Sequence, residues 1–479
     1  MAAIKKIVGI TTLALVGGAA AAYLAGVRLE LDGTGSRPML TYGTRESRDA
    51  ALERSRAVQK TEAPEAEAPP PTPTPDAKPV PEPAATPVPA AATGDSYWAD
   101  FRGPGRLGVY AQTPILTTWP AAGLKRLWNQ PIGGGYASFV VAQNTAFTIE
   151  QRRSNEVIAA YDLMTGKEKW TNSWPADFRE SMGGDGPRAT PIWHEGKVYA
   201  MGAEGELRVI DAATGATVWR KNILSDNGAR NLQWGMSSSP LIVDEKVIVQ
   251  PGGSGGRSIV AYNKNTGSRL WTSLDDQQAY TSPLLATLAG KRQIVTVTAD
   301  RAVGLDPADG KLLWEFPWKT EYDVNSAQPI PAGENTFFIS AGYGHGAALV
   351  EVAAEGAGFK ARQLWFNNRM KNKFNSSVLF DGHLYGLDEG ILACLDARTG
   401  AQKWKGGRYG YGQLLLASGH LVVISESGEL ALVKATPEGH RELAKFEAIE
   451  GKTWNNPAIS NGVLLVRNTA EMAAFHIAP

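Results

Sequence analysis

A nine-residue motif recurs along this chain and limits the folds that the chain can adopt. Its consensus is Asp-x-x-Thr-Gly-x-x-x-Trp, and each copy follows a short apolar stretch. The copies are DLMTGKEKW (162–170), DAATGATVW (211–219), NKNTGSRLW (263–271), DPADGKLLW (306–314) and DARTGAQKW (396–404). Asp accepts hydrogen bonds from the backbone that follows it, and Gly takes the positive φ of a tight turn. Each copy therefore predicts a β-hairpin that leads into a Trp-bearing strand.

The spacing of the motif sets the size of the repeating unit. Degenerate units end at Trp365 and Phe446, and Trp128 is an isolated strand end before the first complete unit. Successive members of the series lie 39 to 52 residues apart, a length that fits four short strands and their turns. Such a unit is one blade of a β-propeller, because a four-stranded blade needs a neighbour on each face. The sequence therefore predicts an all-β fold, an eight-bladed β-propeller.

The two ends of the repeat region are incomplete in complementary ways. Residues 124–128 form a Trp-ending strand without a blade, and the two strands over 463–467 and 472–477 lack such a strand. We expect the two ends to share the last blade and close the ring. If the repeat tryptophans pack between adjacent blades, replacing one with Ala costs on the order of 3 to 5 kcal/mol.

The repeat resembles the tryptophan-docking repeat of the pyrroloquinoline quinone (PQQ) enzyme family. That repeat is shared with the propeller lipoprotein of the outer-membrane β-barrel assembly machinery. The opening Trp98-Ala-Asp-Phe-Arg-Gly-Pro, with Leu-Thr-Thr-Trp-Pro at 116–120, is similar to the start of bacterial PQQ-binding-like propeller repeat proteins. The resemblance covers residues 98–479 and implies an eight-bladed propeller. Dehydrogenases and non-catalytic scaffolds share this ring, so the resemblance leaves the activity open.

Composition excludes several classes of site. Cys394 is the single cysteine, which excludes an internal disulfide, a CxxCH haem site and a four-cysteine zinc site. Quinoprotein alcohol dehydrogenases typically stack the quinone against a disulfide between adjacent cysteines, which this chain cannot form. Lys+Arg and Asp+Glu both total 48, so the formal net charge is zero and we expect no nucleic-acid partner.

The N-terminal region predicts a membrane anchor or signal sequence over residues 1–32. Residues 7–27 carry no charge and would make a helix of about 31 Å, enough to cross a bilayer core. Lys5 and Lys6 precede this stretch, which favours a single-pass inner-membrane protein with a cytoplasmic N-terminus and a periplasmic propeller. An Ala-x-Ala pattern at 20–22 leaves cleavage, and hence secretion, open.

A linker is predicted between the anchor and the propeller. Residues 33–97 are polar or rich in Pro and Ala, with 11 prolines over residues 64–89. Such a composition favours a disordered, extended spacer. Within the linker, residues 45–60 could form a short solvated helix. The predicted domains are thus 1–32, 33–97 and 98–479.

The residues that precede the inner strands are the candidate functional residues, because such positions converge at the mouth of a propeller channel. One from each unit follows the blade period and should join a single ring: Tyr136, Arg188, Trp234, Tyr280, Asn325, Asn375, Gln413 and Asn455. Adjacent candidates add cations, aromatic rings and a carboxylate: Lys371, Lys373, Tyr411, Trp454 and Asp323.

Three interpretations of this ring stay open. A planar, multiply carboxylated ligand such as PQQ could stack on Trp234 or Trp454 and pair with Arg188 and Lys373. The side chains could instead only plug the channel, or a protein or peptide partner in the cell envelope could bind them. The favoured function is a membrane-tethered binding or assembly module.

The alternative function is a PQQ-dependent oxidoreductase, which the resemblance implies would need calcium. Asp323 and Asn325 could supply two of the calcium ligands, and no third is identified in the sequence. No catalytic residue and no separate metal site are assigned.

Overall fold

The computed structural model describes residues 17–31, 37–61, 96–356 and 358–479. Helical residues 17–24 come first. The elements that precede the blades are strands β1 (Val27–Leu31) and β2 (Pro38–Tyr42), helix α1 (Arg45–Thr61), a 3-10 turn (Pro104–Arg106), and strands β3 (Val109–Tyr110) and β4 (Lys125–Pro131).

Eight antiparallel sheets follow, each built mainly from consecutive strands, and together they form the eight-bladed propeller. Blades 1 and 2 contain β5 (Val140–Ala142), β6 (Thr145–Arg152), β7 (Asn155–Asp162) and β8 (Glu168–Pro175), then β9 (Ile192–His194), β10 (Lys197–Met201), β11 (Glu206–Asp211) and β12 (Thr217–Asn222). Helix α2 (Ile223–Asn227) leads to blades 3 and 4, which contain β13 (Leu241–Val243), β14 (Lys246–Val249), β15 (Ile259–Asn263) and β16 (Arg269–Ser273), then β17 (Leu284–Leu288), β18 (Lys291–Val297), β19 (Arg301–Leu305) and β20 (Leu312–Pro317).

The second half of the ring repeats this pattern. Blades 5 and 6 contain β21 (Ile330–Pro331), β22 (Thr336–Ala341), β23 (Gly346–Glu355) and β24 (Gly358–Asn367), then β25 (Val378–Phe380), β26 (His383–Asp388), β27 (Ile391–Asp396) and β28 (Gln402–Arg408). Blades 7 and 8 contain β29 (Gln413–Ala417), β30 (His420–Ile424), β31 (Glu429–Lys434) and β32 (Glu442–Glu447), then β33 (Ala458–Ser460), β34 (Val463–Arg467) and β35 (Glu471–His476). Strand β3 adds to the inner edge of blade 7 in parallel with β29.

The ring closes in blade 8, as predicted. Its sheet order is β33-β34-β35-β4, so the N-terminal strand supplies the outer strand of the last blade. Trp128 on β4 lies opposite Ala474 on β35 in an antiparallel register. The chain ends therefore complete one sheet and leave no blade without a neighbour.

Five tryptophans pack on a turn glycine of the next blade, which explains why the motif combines Trp with Gly: Trp128, Trp170, Trp219, Trp271 and Trp365. The ring of Trp170 covers Gly215, and a Cβ added at Gly215 would lie 2.8 Å from that ring. Gly215 also has a positive φ of 75°. The indole Nε1 of Trp170 donates to the carbonyl oxygen of Ala212 at 3.0 Å. Trp219 packs on Gly267 in the same way.

The region before the propeller differs from the prediction in two respects. Strands β1 and β2 pair in antiparallel fashion, although β2 lies within the predicted disordered linker. Helix α1 forms where the sequence predicted a helix, but it is docked rather than solvated, because Leu52 and Arg56 are buried against the propeller. No helix among the described residues is long and apolar enough to span a membrane. Most of the predicted anchor (1–16) and the Pro-rich part of the predicted linker (62–95) lie outside the described residues. The anchor and the domain limits therefore stay predictions.

Candidate functional site

Aromatic side chains from many blades meet at the mouth, the face at which the inner strands begin. The ring centroids of Tyr136 and Trp454 lie 5.2 Å apart, and those of Phe374 and Trp454 lie 4.5 Å apart. Phe374 is also 5.4 Å from Tyr411. We define the mouth belt as this group with the cations and rings that continue it around the opening: Tyr136, Arg188, Trp234, Tyr280, Tyr343, Lys373, Phe374, Tyr411 and Trp454.

Two cations of the mouth belt lie against its rings. The Arg188 guanidinium is 5.5 Å from the centroid of Tyr136, and Lys373 Nζ is 4.4 Å from that of Tyr343 and 5.1 Å from that of Tyr411. Burial lowers the pKa of Arg188, although the nearby Tyr136 hydroxyl opposes this. The belt thus offers cations beside flat apolar surface, which suits stacking and cation–π contacts.

The four amide residues of the predicted ring do not lie on the surface of the mouth. They are at most 2 % exposed: Asn325, Asn375, Gln413 and Asn455. Three of them, Asn325, Gln413 and Asn455, donate hydrogen bonds to backbone carbonyl oxygens of neighbouring blades. Gln413 Nε2 donates at 2.9 Å to the carbonyl oxygens of Phe374 and Trp454, which belong to the loops on either side. The residues of the predicted single ring therefore form two groups. Tyr136, Arg188, Trp234 and Tyr280 belong to the mouth belt, and the four amide residues form an inner layer. Blade spacing identifies the residue that enters each strand but not the direction of its side chain.

Part of this inner layer lacks partners within the protein. Neither the Oδ1 nor the Nδ2 atom of Asn375 has a hydrogen-bond partner among the described residues, although the side chain is buried. The Oδ1 atoms of Asn325 and Asn455 and the Oε1 atom of Gln413 share this property. Buried amide atoms are normally satisfied by protein or ordered water. We therefore expect ordered water beneath the mouth belt.

Comparison with known proteins identifies the family. The sequence model described as outer membrane protein assembly factor BamB matches residues 154–406, more than half of the chain. The chain belongs to this family. BamB of Shewanella oneidensis is 23% identical over 314 residues, which cover 61% of this chain and 75% of that protein. The structure of BamB from Moraxella catarrhalis has the same fold, with a TM-score of 0.52 at 15% identity over 74% of this chain and 98% of that one.

A second kind of relative matches over a shorter region. The 1-butanol dehydrogenase (cytochrome c) of Thauera butanivorans is 32% identical over 118 residues, which cover 24% of this chain and 17% of the dehydrogenase. The match thus spans less than a fifth of the dehydrogenase. The BamB-family propeller therefore shares sequence with outer membrane protein assembly factors and, over a shorter region, with this dehydrogenase.

In this BamB-family propeller, the two residues predicted as calcium ligands lie in different environments. The Asp323 side chain is 41 % exposed and pairs with Lys319 at 3.7 Å. The amide of Asn325 is fully buried and donates to the carbonyl oxygen of Thr298 at 2.8 Å. The Asn325 Oδ1 atom has no hydrogen-bond partner among the described residues. Within the described ranges, no group of three His, Cys, Asp or Glu residues could hold a metal ion. Lys371 pairs with Asp388 and Glu389 rather than joining the mouth belt.

The single Cys394 differs from the pair of adjacent cysteines that is typical of quinoprotein alcohol dehydrogenases. It is fully buried on β27, and burial raises the pKa of its thiol to about 12. A thiol that stays protonated inside a blade packs as a small apolar group and is not reactive.

Sequence reasoning did not identify the segment that crosses the channel. The stretch after Trp98 carries Arg102 and Arg106, both at most 3 % exposed. Arg102 Nη2 donates to the carbonyl oxygen of Ser377 in blade 6 at 2.9 Å, and Arg106 Nη1 donates to that of Pro283 in blade 4 at 2.6 Å. Burial lowers the pKa of Arg102 to about 10. Two arginines around Gly-Pro-Gly were the available signal. The carbonyl oxygens that they contact in the blades lie more than 130 residues away in sequence.

Glu426 is a further residue that sequence reasoning missed. Its Oε1 atom accepts a hydrogen bond from the indole Nε1 of Trp454 at 2.8 Å. Its Oε2 atom accepts one from the backbone NH of Tyr411 at 3.1 Å. Glu426 therefore fixes the orientation of one ring of the mouth belt and the backbone of another.

Proposed function

We propose that this propeller is a membrane-tethered, extracytoplasmic binding or assembly module, and that it takes a protein partner in the cell envelope at its mouth. The observation that carries the proposal is the mouth belt itself. Aromatic rings beside Arg side chains are the groups that contribute most at protein interfaces. The family assignment and the relatives named as outer membrane protein assembly factors support the same conclusion.

Two exposed apolar side chains border the belt and support a protein partner over a small ligand. Met182 is 51 % exposed on the loop between blades 1 and 2, and Tyr322 is 57 % exposed on the loop between blades 4 and 5. Tyr322 contacts Tyr343 of the belt at 5.5 Å between ring centroids. A partner that covered the belt would bury both side chains and gain hydrophobic free energy.

Site-specific photo-crosslinking tests this function. A photoreactive phenylalanine replaces Met182 or Tyr322 in the full-length protein, and control variants carry it at Val218 or Leu443. The control positions are 44 % and 49 % exposed on outer strands away from the mouth. We expect one discrete protein adduct from the two mouth positions in isolated membranes. Equal adducts from the control positions, or none from the mouth, would contradict the proposal.

A PQQ-dependent oxidoreductase is the second candidate function. The local identity to the Thauera butanivorans dehydrogenase favours it, as do the two cations that lie beside aromatic rings. PQQ carries several carboxylates and is planar, so Arg188 and Lys373 could pair with it while Trp234 or Trp454 stacks on it. No third calcium ligand beside Asp323 and Asn325 is identified in the sequence, and this weighs against the candidate.

Titration with PQQ, with and without calcium, separates the two candidates. Saturable quenching of tryptophan fluorescence that is lost in Trp454→Ala, together with dye-linked alcohol oxidation, would support the enzyme. The control is Trp193→Ala, a residue on β9 outside the mouth belt. The absence of saturable quenching at high micromolar PQQ would exclude the oxidoreductase candidate.

A further inference from the structure

Helix α1 lies along the seam between blade 8 and blade 1. Leu52 is 2 % exposed and Arg56 is 6 % exposed. Arg56 Nη2 donates to the carbonyl oxygen of Pro131 on β4 at 2.9 Å, and its Nε lies 3.3 Å from the Glu168 carboxylate on β8. The side chain of Gln59 accepts a hydrogen bond from the backbone NH of Glu168 at 3.0 Å. These contacts hold the helix against both blades.

The first residue of α1 reaches the mouth side of blade 1. Arg45 Nη2 lies 2.8 Å from Asp177 Oδ1, and Arg45 Nη1 lies 3.5 Å from Asp185 Oδ2. Arg45 also donates to the carbonyl oxygen of Arg153, in the turn between β6 and β7. Asp177 and Asp185 lie near the two ends of the loop 176–187, which connects β8 to blade 2. One guanidinium therefore ties both ends of this loop to blade 1.

The same loop holds one cation of the mouth belt. Arg188 donates from its two Nη atoms to the carbonyl oxygens of Gly184 and Gly186. The backbone NH of Tyr136 donates to the carbonyl oxygen of Pro187 at 2.8 Å. A displacement of the loop would therefore move the Arg188 guanidinium and change its contact with the Tyr136 ring.

We propose that Arg45 is a positioning residue for the mouth. By pairing with Asp177 and Asp185 it holds the loop 176–187, and through the loop it holds Arg188 where a partner meets it. The docked helix α1 is then part of the binding module and is not a passive tether. The inference rests on the proposed function, which makes the mouth the binding face. The order of the loop 176–187 can nevertheless be measured with no partner present.

Hydrogen-exchange mass spectrometry on the full-length protein tests the proposal. The variants are Arg45→Gln, Arg45→Lys and the matched control Arg54→Gln, whose arginine is exposed on the same helix. We expect Arg45→Gln to speed amide exchange in residues 178–186 about tenfold, because the charged hydrogen bond to Asp177 and the ion pair with Asp185 are lost. We expect Arg45→Lys to have a smaller effect, since an ammonium cannot reach both carboxylates as a guanidinium does. Arg54→Gln should match the wild type.

Two internal references make the result decisive. Residues 49–60 report whether α1 stays docked, and residues 228–238, in the loop before blade 3, report the stability of another part of the mouth. Unchanged exchange in residues 178–186 of Arg45→Gln would overturn the proposal. Equal acceleration in residues 178–186 and 228–238 would also overturn it, because it would report a general loss of stability.

Crosslinking from position 182 on the same variants separates this inference from the proposed function. A weaker adduct in Arg45→Gln than in Arg54→Gln would support the positioning role. Failure to crosslink in the wild type would contradict the proposed function, whereas the exchange result for the loop would stand.

Discussion

Among the buried charged residues, Glu156 has an environment that disfavours its charged form. It is 0 % exposed on β7, and its Oε1 atom accepts one hydrogen bond, from the backbone NH of Ala203 at 2.7 Å. Its Oε2 atom has no hydrogen-bond partner in the part of the chain that the structure describes. Burial, reinforced by the nearby Glu204, raises the pKa of Glu156 to about 7. Glu150 shows the opposite balance, because Arg152 and Arg467 outweigh burial and lower its pKa to about 2.

The raised pKa predicts how stability depends on pH. The folded protein binds a proton at Glu156 up to about pH 7, whereas the unfolded chain releases it near its ordinary pKa of 4.5. Stability from this group is therefore present below pH 4.5 and is lost as pH rises through 7, by about 3 kcal/mol in all. We expect Glu156→Gln to remove this loss, so that the variant gains stability over the wild type between pH 4.5 and 8. Urea unfolding at several pH values measures the free energy of unfolding of both proteins.

The control for this pH series is Glu447→Gln, which replaces an exposed carboxylate on β32. Because this substitution leaves Glu156 in place, the loss of stability with rising pH should remain. If Glu156→Gln also follows the wild type, Glu156 is ionised in the folded protein and the inferred environment is wrong.

At the scale of the elements, the Trp–Gly pair is the repeated contact between blades. The Trp219 Nε1 atom donates to the carbonyl oxygen of Lys264 at 3.0 Å, and the indole covers Gly267. Blade 4 departs from this pattern, because blade 5 has no Thr-Gly turn to receive its tryptophan. Trp314 instead donates to Gln293 in its own sheet and stacks on Phe337 of blade 5 at 5.1 Å between centroids. The inter-blade contact is kept although the turn is lost.

This contact predicts the cost of removing a repeat tryptophan. We expect Trp219→Ala to lower the free energy of unfolding by about 3 kcal/mol, because the cavity and the lost hydrogen bond fall between two sheets. Val218→Ala is the matched control, since Val218 is the preceding residue of the strand and is 44 % exposed. Denaturant unfolding followed by circular dichroism measures both. A loss below about 1 kcal/mol for Trp219→Ala would show that the indole is not an inter-blade wedge.

At the scale of the whole molecule, the seam between blades 8 and 1 carries the ring closure. Besides the pairing of β4 with β35, it contains a buried polar network. Arg467 donates to Thr148 Oγ1 at 2.8 Å and to the carbonyl oxygen of Gly133 at 3.0 Å. The Glu150 carboxylate accepts hydrogen bonds from the backbone NH of Gly133 and from the Tyr161 hydroxyl. Opening this seam would leave several charged groups without partners, so it should open only with the ring as a whole.

Native-state hydrogen exchange tests whether the closing strand is part of the cooperative ring. We expect amides of β4 to become exposed together with those of β34 and β35 as denaturant is raised, although more than 330 residues separate them in sequence. The two-residue strand β3 at the edge of blade 7 serves as the contrast and should exchange earlier. Exchange of β4 well before β35 would show that the ring opens at its ends.

The sequence alone determined the blade number, the shared last blade and the hairpins that carry the repeat tryptophans. Each depends on spacing within one repeat, and the same hairpin chemistry acts wherever the motif recurs. Tertiary structure decided the rest. Asn325 and Trp454 occupy similar positions relative to their inner strands, yet one is buried between blades and the other lies at the mouth. Spacing does not encode that difference, because it depends on what the neighbouring blade presents.

The contacts of the non-repeating segments were also beyond the sequence. Helix α1 could be predicted from its composition, but its docking depends on Asp177 and Glu168, more than 100 residues away. The segment with Arg102 and Arg106 crosses the channel because carbonyl oxygens of distant inner strands accept its hydrogen bonds. A periodic pattern specifies what repeats, whereas a single long-range contact between charged and polar groups exists only once the ring has formed.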